Sequence, residues 1–383
     1  ATRWLKVLGP SPISTVPRQD RSFQMALSAL VRNRGGLVVL DAGMGTALGR
    51  LGFNGNQCWS AGRLGLYGDD EIRQAVRSVH IGFLRAGADL ITANSYAVSK
   101  RRELALAAES GVPCSPEEAS ANEDRFIRGN IAVARSAIKK YEVEIGRPFD
   151  GVLAASMGCF GTSFPKRGET ANRVNASEDE ALRVPSYGVP QAELEAFHRS
   201  RAATAIDAGA DVLAFETVPD LAEARAIASV LRGLEPTAPG LQAMVMFTCR
   251  DAELVDNGDP FAECCEALAD CEPCVALGVN CTEPRLVDGL LQQAKRAVGS
   301  SKLLIAKPNS GEVYDATATV GNDWRPPGGG ALATPAEFGA MAAHWHAACG
   351  ASFVGGCCRV GQAEVAAIRS LFPRADGVVG ALA

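Results

Sequence analysis

The strongest constraint in this chain is a repeated grammar. A short apolar run ends in a polar or glycine-rich turn, and a helical pattern follows, eight times over. The runs are residues 37–43, 89–96, 151–158, 211–217, 243–248, 276–281, 303–310 and 353–358. Helix-like stretches lie near 70–87, 123–140, 191–209, 219–233, 260–270, 284–298, 335–349 and 361–372. Continuous apolar strands alternating with amphipathic helices imply a parallel sheet covered by helices. Eight such units imply closure, so the expected fold is α/β: a single (β/α)8 TIM barrel. A chain of 383 residues suits one such barrel with insertions.

The barrel is placed at residues 37–383, with 1–36 as an N-terminal extension. The extension holds Arg3, Lys6, Arg18, Arg21, Arg32 and Arg34 against Asp20 alone, and reads as a surface or docking arm, with a transit-peptide remnant as the alternative. Segments 100–122, 159–190 and 311–333 are rich in polar residues, Gly or Pro and follow strands. They are expected as long loops on the C-terminal face of the strands, where a barrel carries its chemistry.

Apolar residues make up 47% of the chain and charged residues 21%, enough for a large core and a polar surface. The net charge of −5 gives no case for nucleic acid or an acidic membrane as partner. No apolar run approaches the ~20 residues needed to span a bilayer. Twelve cysteines are spread along the chain, and no secretory signal pattern opens it. The expectation is a cytoplasmic monomer or small homo-oligomer whose thiols bind metal or pack, not a disulfide framework.

Residues that end the strands of a barrel share one mouth. Here they are Asp41, Thr92, Asn94, Ser156, Glu216, Thr248, Asn280, Cys281, Asn309, Cys357 and Cys358. Each alone fits a turn or a helix cap. Acids, amides and thiols gathered at one end point to a site. Cys281 ends the sixth run and Cys357-Cys358 the eighth, so they approach across the seventh. Three cysteines leave one position of a tetrahedral zinc open, which suits capture of another thiol. Adjacent strand residues face opposite sides, so both Cys357 and Cys358 reach one metal only if the backbone turns. Gly355 and Gly356 are expected to make that turn cheap. The plainer reading is two buried, inert thiols.

Other candidates are weaker. Cys264, Cys265, Cys271 and Cys274 include a Cys-x-x-Cys spacing that can serve structural zinc, but burial of small residues in a helix explains them. His80, His198, His344 and His346 fall in helical patterns and are expected in outer or surface positions. No Ser-His-Asp arrangement, Walker loop or dinucleotide fingerprint is present. Asp41 precedes the glycine-rich Gly43-Met44-Gly45-Thr46, whose amides can hold a carboxylate or a phosphate. Glu216 ends an apolar strand, and a buried acid needs a partner. Together the two acids can hold an ammonium group, and with the amides they would recognise an α-amino acid.

Five motifs carry a family resemblance. They are Asp41-Ala42-Gly43-Met44-Gly45-Thr46, Gly87-Ala88-Asp89-Leu90-Ile91-Thr92-Ala93-Asn94-Ser95-Tyr96, Phe215-Glu216-Thr217, Gly278-Val279-Asn280-Cys281 and Gly355-Gly356-Cys357-Cys358-Arg359. In this order, over about residues 37–372, they resemble the homocysteine S-methyltransferase family. The resemblance implies a (β/α)8 barrel with a catalytic Zn2+ on Cys281, Cys357 and Cys358. It places homocysteine-binding acids at Asp41 and Glu216 and carboxylate-binding amides around Gly43 and Met44. Thr92, Asn94, Asn280 and Asn309 are further candidate substrate contacts.

The methyl donor divides the family. Thr217-Val218-Pro219 after Glu216, and Pro308-Asn309-Ser310-Gly311-Glu312-Val313-Tyr314-Asp315, resemble the branch using S-methylmethionine or S-adenosylmethionine. Betaine enzymes carry an aromatic beside the acid, and no cobalamin or folate module is attached. The implied partners are homocysteine and a sulfonium methyl donor. Two positions depart from that branch. Lys307 stands where it often has Tyr, and Met157-Gly158-Cys159-Phe160-Gly161 replaces a Gly-Pro-Tyr-Gly-type loop. The alternatives are betaine- or selenocysteine-type methylation on the same site, or a non-catalytic barrel that senses zinc or an amino acid.

Overall fold

The computed structural model describes residues 27–53, 62–63, 69–164, 187–314, 324–325 and 333–374. Eight parallel strands form one sheet. They are β1 (Val38–Val39), β2 (Leu90–Ala93), β3 (Val152–Gly158), β4 (Val212–Val218), β5 (Ala243–Phe247), β6 (Cys274–Asn280), β7 (Leu303–Lys307) and β8 (Ala351–Val354). Their order is β1-β8-β7-β6-β5-β4-β3-β2. A bridge between Leu40 and Leu90 joins the two ends, with Asp41 N–H donating to Leu90 O (3.0 Å) and Asp89 N–H to Val39 O (2.7 Å). The eight-unit reading of the sequence is the observed barrel.

Among the described residues, the strands are accompanied by helices α1 (Leu27–Asn33), α2 (Met44–Arg50), α3 (Asp70–Arg85), α4 (Lys100–Ser110), α5 (Pro116–Ile145), α6 (Gln191–Asp207), α7 (Leu221–Leu234), α8 (Phe261–Ala269), α9 (Val287–Val298), α10 (Pro335–Cys349) and α11 (Gln362–Leu371). Strand residues alternate between two cores. Val38, Leu40, Ala154, Ala214, Met244 and Ile305 fill the barrel interior, while Val39, Leu153, Phe215, Val245, Leu277 and Val354 pack against the helices. This is the period-2 alternation of a closed sheet.

Segment 100–122 departs from the loop expected there. Residues 100–110 are α4, and α5 already begins at Pro116, where Ser115 and Glu118 form a capping box. Most of 159–190 and 311–333 lies outside the described residues. Within them, Val313–Tyr314 pairs antiparallel with Trp324–Arg325.

Part of the N-terminal extension belongs to the barrel packing. Leu27, Leu30 and Val31 of α1 join the interior core, and Leu27 N–H donates to Gln242 Oε1 (2.6 Å) at the start of β5. The helix stoppers the N-terminal end of the barrel. Beside it, fully buried Asp89 meets Arg34 (2.7 Å), Arg374 (2.9 Å) and Arg369. That end is therefore sealed, and the opposite end carries the polar groups. No described helix is long and apolar enough to cross a membrane.

Candidate active site at the C-terminal mouth

The three cysteines singled out by the sequence meet. Cys281 Sγ lies 3.1 Å from both Cys357 Sγ and Cys358 Sγ, and the last two are 4.0 Å apart. Cys281 is buried, whereas Cys357 and Cys358 are half-buried, so the cluster faces the mouth. The turn that brings them together differs from expectation. Neither Gly355 nor Gly356 has positive φ. Instead Cys281 (φ 52°) and Arg359 (φ 67°) take the left-handed conformation. Such strain in non-glycine residues persists only where the surroundings hold it. Cys281 N–H donates to Lys307 O, Cys357 N–H to Pro308 O (2.7 Å), and Ser310 N–H to Cys358 O.

Glycine serves close approach here. A Cβ on Gly355 would lie 2.6 Å from Leu40 Cβ, and one on Gly43 would lie 2.6 Å from Cys357 O. Gly43 also gives its N–H to Val360 O (3.1 Å), so its amide is committed within the fold. Met44 is the first residue of α2, next to that junction.

The acids lie in the same mouth. Asp41 accepts Thr92 N–H (2.6 Å) and Thr92 Oγ1–H (2.9 Å), and Glu216 accepts the Ser156 hydroxyl. Lys307 fills the space between the acids, with Nζ 2.8 Å from Glu216 Oε1 and 3.5 Å from Asp41 Oδ1. Burial raises the Asp41 pKa to about 6; Lys307 and Thr92 oppose that rise, and Glu216 adds to it. The sequence marked Lys307 only as a departure. A strand-end cation opposite two strand-end acids was the available signal for its role.

The remaining candidates divide. Asn280 accepts Thr217 N–H (2.7 Å) and reaches toward Cys357 Sγ (3.8 Å), so it joins the thiols to the acids. Just after β2, the buried amide nitrogen of Asn94 has no hydrogen-bond partner among the described residues. Asn309 Oδ1 accepts Gly311 N–H (2.8 Å), which makes it a turn residue in this structure. Thr248 bonds Asp256 (3.1 Å). Tyr96, not singled out earlier, donates its hydroxyl to Thr217 Oγ1 (2.9 Å).

All four histidines lie on helices, yet His80 and His198 are fully buried, which corrects their outer placement. His198 pairs with buried Glu223 (2.7 Å). Cys264, Cys265, Cys271 and Cys274 are buried in the core between barrel and helices, and among the described residues they form no metal-like group. Burial pushes the Cys265 and Cys274 thiols up, as for inert packing residues.

The donor set fits a metal. Three sulfurs converge from two strand ends, and among the described residues no fourth ligand joins them. In Cys357, contact with Cys281 lowers the thiol pKa, but Cys358 and burial outweigh it and push it up to about 12. Crowded thiols of this kind become thiolates on a soft cation.

A barrel with a thiol cluster and an acid pair in its C-terminal mouth defines an α/β-barrel enzyme. The family model described as homocysteine S-methyltransferase matches residues 38–372. The chain belongs to that family and is a methyltransferase. It is 33% identical to homocysteine S-methyltransferase 4 of Zea mays, over 90% of this chain and 91% of the relative. It is also 33% identical to homocysteine S-methyltransferase YbgG of Bacillus subtilis (strain 168), over 84% of this chain and 90% of the relative. The metallated form of homocysteine methyltransferase MmuM from Escherichia coli superimposes with a TM-score of 0.66 at 27% identity, over 88% of this chain and 96% of that one.

Proposed function

We propose that this protein moves a methyl group from a sulfonium donor, S-methylmethionine or S-adenosylmethionine, to the thiol of homocysteine, giving methionine. Cys281, Cys357 and Cys358 would hold zinc. The observation that carries this reading is the convergence of three sulfurs beside a buried acid pair. Zinc held there would favour the thiolate form of an incoming thiol. The chain's own residues orient the acceptor. Asp41, held by Thr92, and Glu216, held by Ser156, face its ammonium end. Both are nearly excluded from water, which strengthens their pull on a cation.

The donor is already electrophilic, so alignment is the main demand on the protein. The acceptor sulfur attacks the methyl carbon, the donor leaves as a neutral thioether, and the thiol proton goes to solvent. Thr217 beside Glu216 supports a sulfonium over betaine, since the resemblance puts an aromatic there in betaine enzymes. Among the described residues no cysteine is in a disulfide, which suits a reducing compartment such as the cytoplasm.

The test offers homocysteine with S-methylmethionine, S-adenosylmethionine or betaine to zinc-quantified protein under reducing conditions. Methionine from a sulfonium donor, abolished by chelation, is the expected result. Methionine from betaine alone, or none with zinc at full occupancy, overturns the reading.

A further inference from the structure

Lys307 ends β7 and is not required by the reaction described above. Its Nζ ion-pairs with Glu216 at 2.8 Å and lies 3.5 Å from Asp41. Each of the three residues is at most 7% exposed. Burial works against the Lys307 ammonium, but Glu216 and Asp41 outweigh it and hold its pKa above the ordinary lysine value. The amino-recognition pocket thus carries a positive charge before any acceptor arrives.

The charge count decides what this does. Two acids without the lysine would carry two buried negative charges. An acceptor with an ammonium would relieve them, and one without would leave them unpaired. Sites with unpaired buried polar groups reject the analogue that lacks the partner strongly. Lys307 supplies one cation against the two acids, leaving a single negative charge. Glu216 keeps a direct partner whichever acceptor binds. The register places this lysine opposite Asn280.

Resting on the acceptor reading above, we propose that Lys307 sets acceptor specificity. As a resident ammonium on Glu216 and Asp41, it relieves the acceptor of supplying one. The site then also methylates mercaptocarboxylates of homocysteine's chain length that lack the α-amino group. The bond changes are those of the homocysteine reaction. The sulfonium C–S bond breaks, a C–S bond forms on the acceptor sulfur, the donor leaves as a thioether and the thiol proton goes to solvent.

The probe is 4-mercaptobutanoate, which is homocysteine without its amine. Calorimetric titration of zinc-loaded protein with each thiol gives two dissociation constants, and methyl transfer from the sulfonium donor is followed in parallel. The wild-type constants are expected to agree within about tenfold, with both thiols methylated. Lys307→Met should widen their ratio by a further factor of about ten or more in favour of homocysteine. Lys307→Gln, a second neutral variant, should act alike, and Lys307→Arg should restore the narrow ratio; melting curves confirm that each is folded. Homocysteine binding with an unchanged ratio in both neutral variants overturns the role of Lys307 and leaves homocysteine methylation standing. A wild-type protein that neither binds nor methylates 4-mercaptobutanoate, while using homocysteine, overturns it too. Failure to bind homocysteine or form methionine overturns the acceptor reading and this inference with it.

Discussion

Thr217 donates its amide to Asn280 Oδ1 over 2.7 Å, bridging β4 and β6 across the intervening β5. Thr217 follows Glu216, and Asn280 precedes Cys281. The bond therefore fixes the spacing between the acid pair and the thiols. Thr217 (φ 63°) and Cys281 (φ 52°) are both left-handed, a conformation that non-glycine residues hold only under external restraint. Asn280 Nδ2 and the Tyr96 hydroxyl both reach Thr217 Oγ1, at 3.3 and 2.9 Å.

Asn280→Ala should release that restraint. The buried Thr217 amide then loses its partner, at a cost of about 1–3 kcal/mol by chemical denaturation. Methyl transfer should fall by about tenfold or more, because misplacement of reacting groups is costly. Metal content should hold, since all three thiols remain. Wild-type turnover in this variant would remove the bridge from the site's geometry.

Cys358→Ser should lose the metal and keep the fold. Cys358 lies beyond β8 and is half-buried, so the barrel core does not depend on it. A serine hydroxyl stays protonated and replaces a thiolate ligand poorly. Metal analysis should show much less than one ion per chain, with an unchanged circular dichroism spectrum. Full zinc occupancy with wild-type turnover would refute the three-thiol assignment.

Glu216→Gln should raise the homocysteine KM by about tenfold or more, while the donor KM stays within about twofold. The Lys307 ammonium would then keep only Asp41, 3.5 Å away, and would repel an acceptor ammonium. Equal rises in both KM values would place Glu216 at the donor instead.

The barrel was legible because its strands are continuous apolar runs, such as β3 and β4, which are buried throughout. The thiols and acids were legible because strand ends share one mouth. The start of α5 was signalled by Ser115-Pro116-Glu117-Glu118, but the polar surface of 100–122 suggests a loop. The plug helix was signalled by Leu27, Leu30 and Val31 at helical spacing, masked by the basic composition around it. Which residues carry the backbone turn was not legible. Glycines were the natural candidates, yet the left-handed positions are Cys281 and Arg359, whose amides bond Lys307 O on β7 and Thr46 Oγ1 on α2. The Lys307 pairing depends on where β7 stands relative to β1 and β4, which no local pattern encodes.

Asp89→Asn should destabilise the fold by about 3–5 kcal/mol in chemical denaturation, the usual cost of breaking a buried ion pair from one side. It would leave Arg369 and Arg374 crowded together without their carboxylate, while Arg34 keeps Asp150 at 2.8 Å. Asp89 lies at the sealed end, so turnover of the folded fraction should stay near wild type. A variant as stable as wild type would show that the arginines find other partners.

Glu223 ties the folding free energy to pH. It is fully buried on α7, accepts Phe160 N–H (2.6 Å) and pairs with His198. Burial raises its pKa from 4.5 to about 8, against the lowering effect of the Phe160 amide. The folded protein thus keeps a proton that the unfolded chain has released by neutral pH. This stabilisation is complete below pH 4.5 and is lost as pH climbs toward 8. Burial lowers the His198 pKa well below 6.5, so the imidazole is neutral above that pH and does not offset the loss. Asp220 and Asp256, both raised to about 7 chiefly by burial, add slopes of the same sign; Glu223 adds to the Asp220 rise, so the difference between variants reads Glu223 together with its coupling to Asp220. Between about pH 6.5 and 8, wild-type stability should fall more steeply than that of Glu223→Gln by about 1 kcal/mol per pH unit. Identical slopes would mean that Glu223 is already ionised in the fold and that His198 carries the proton instead.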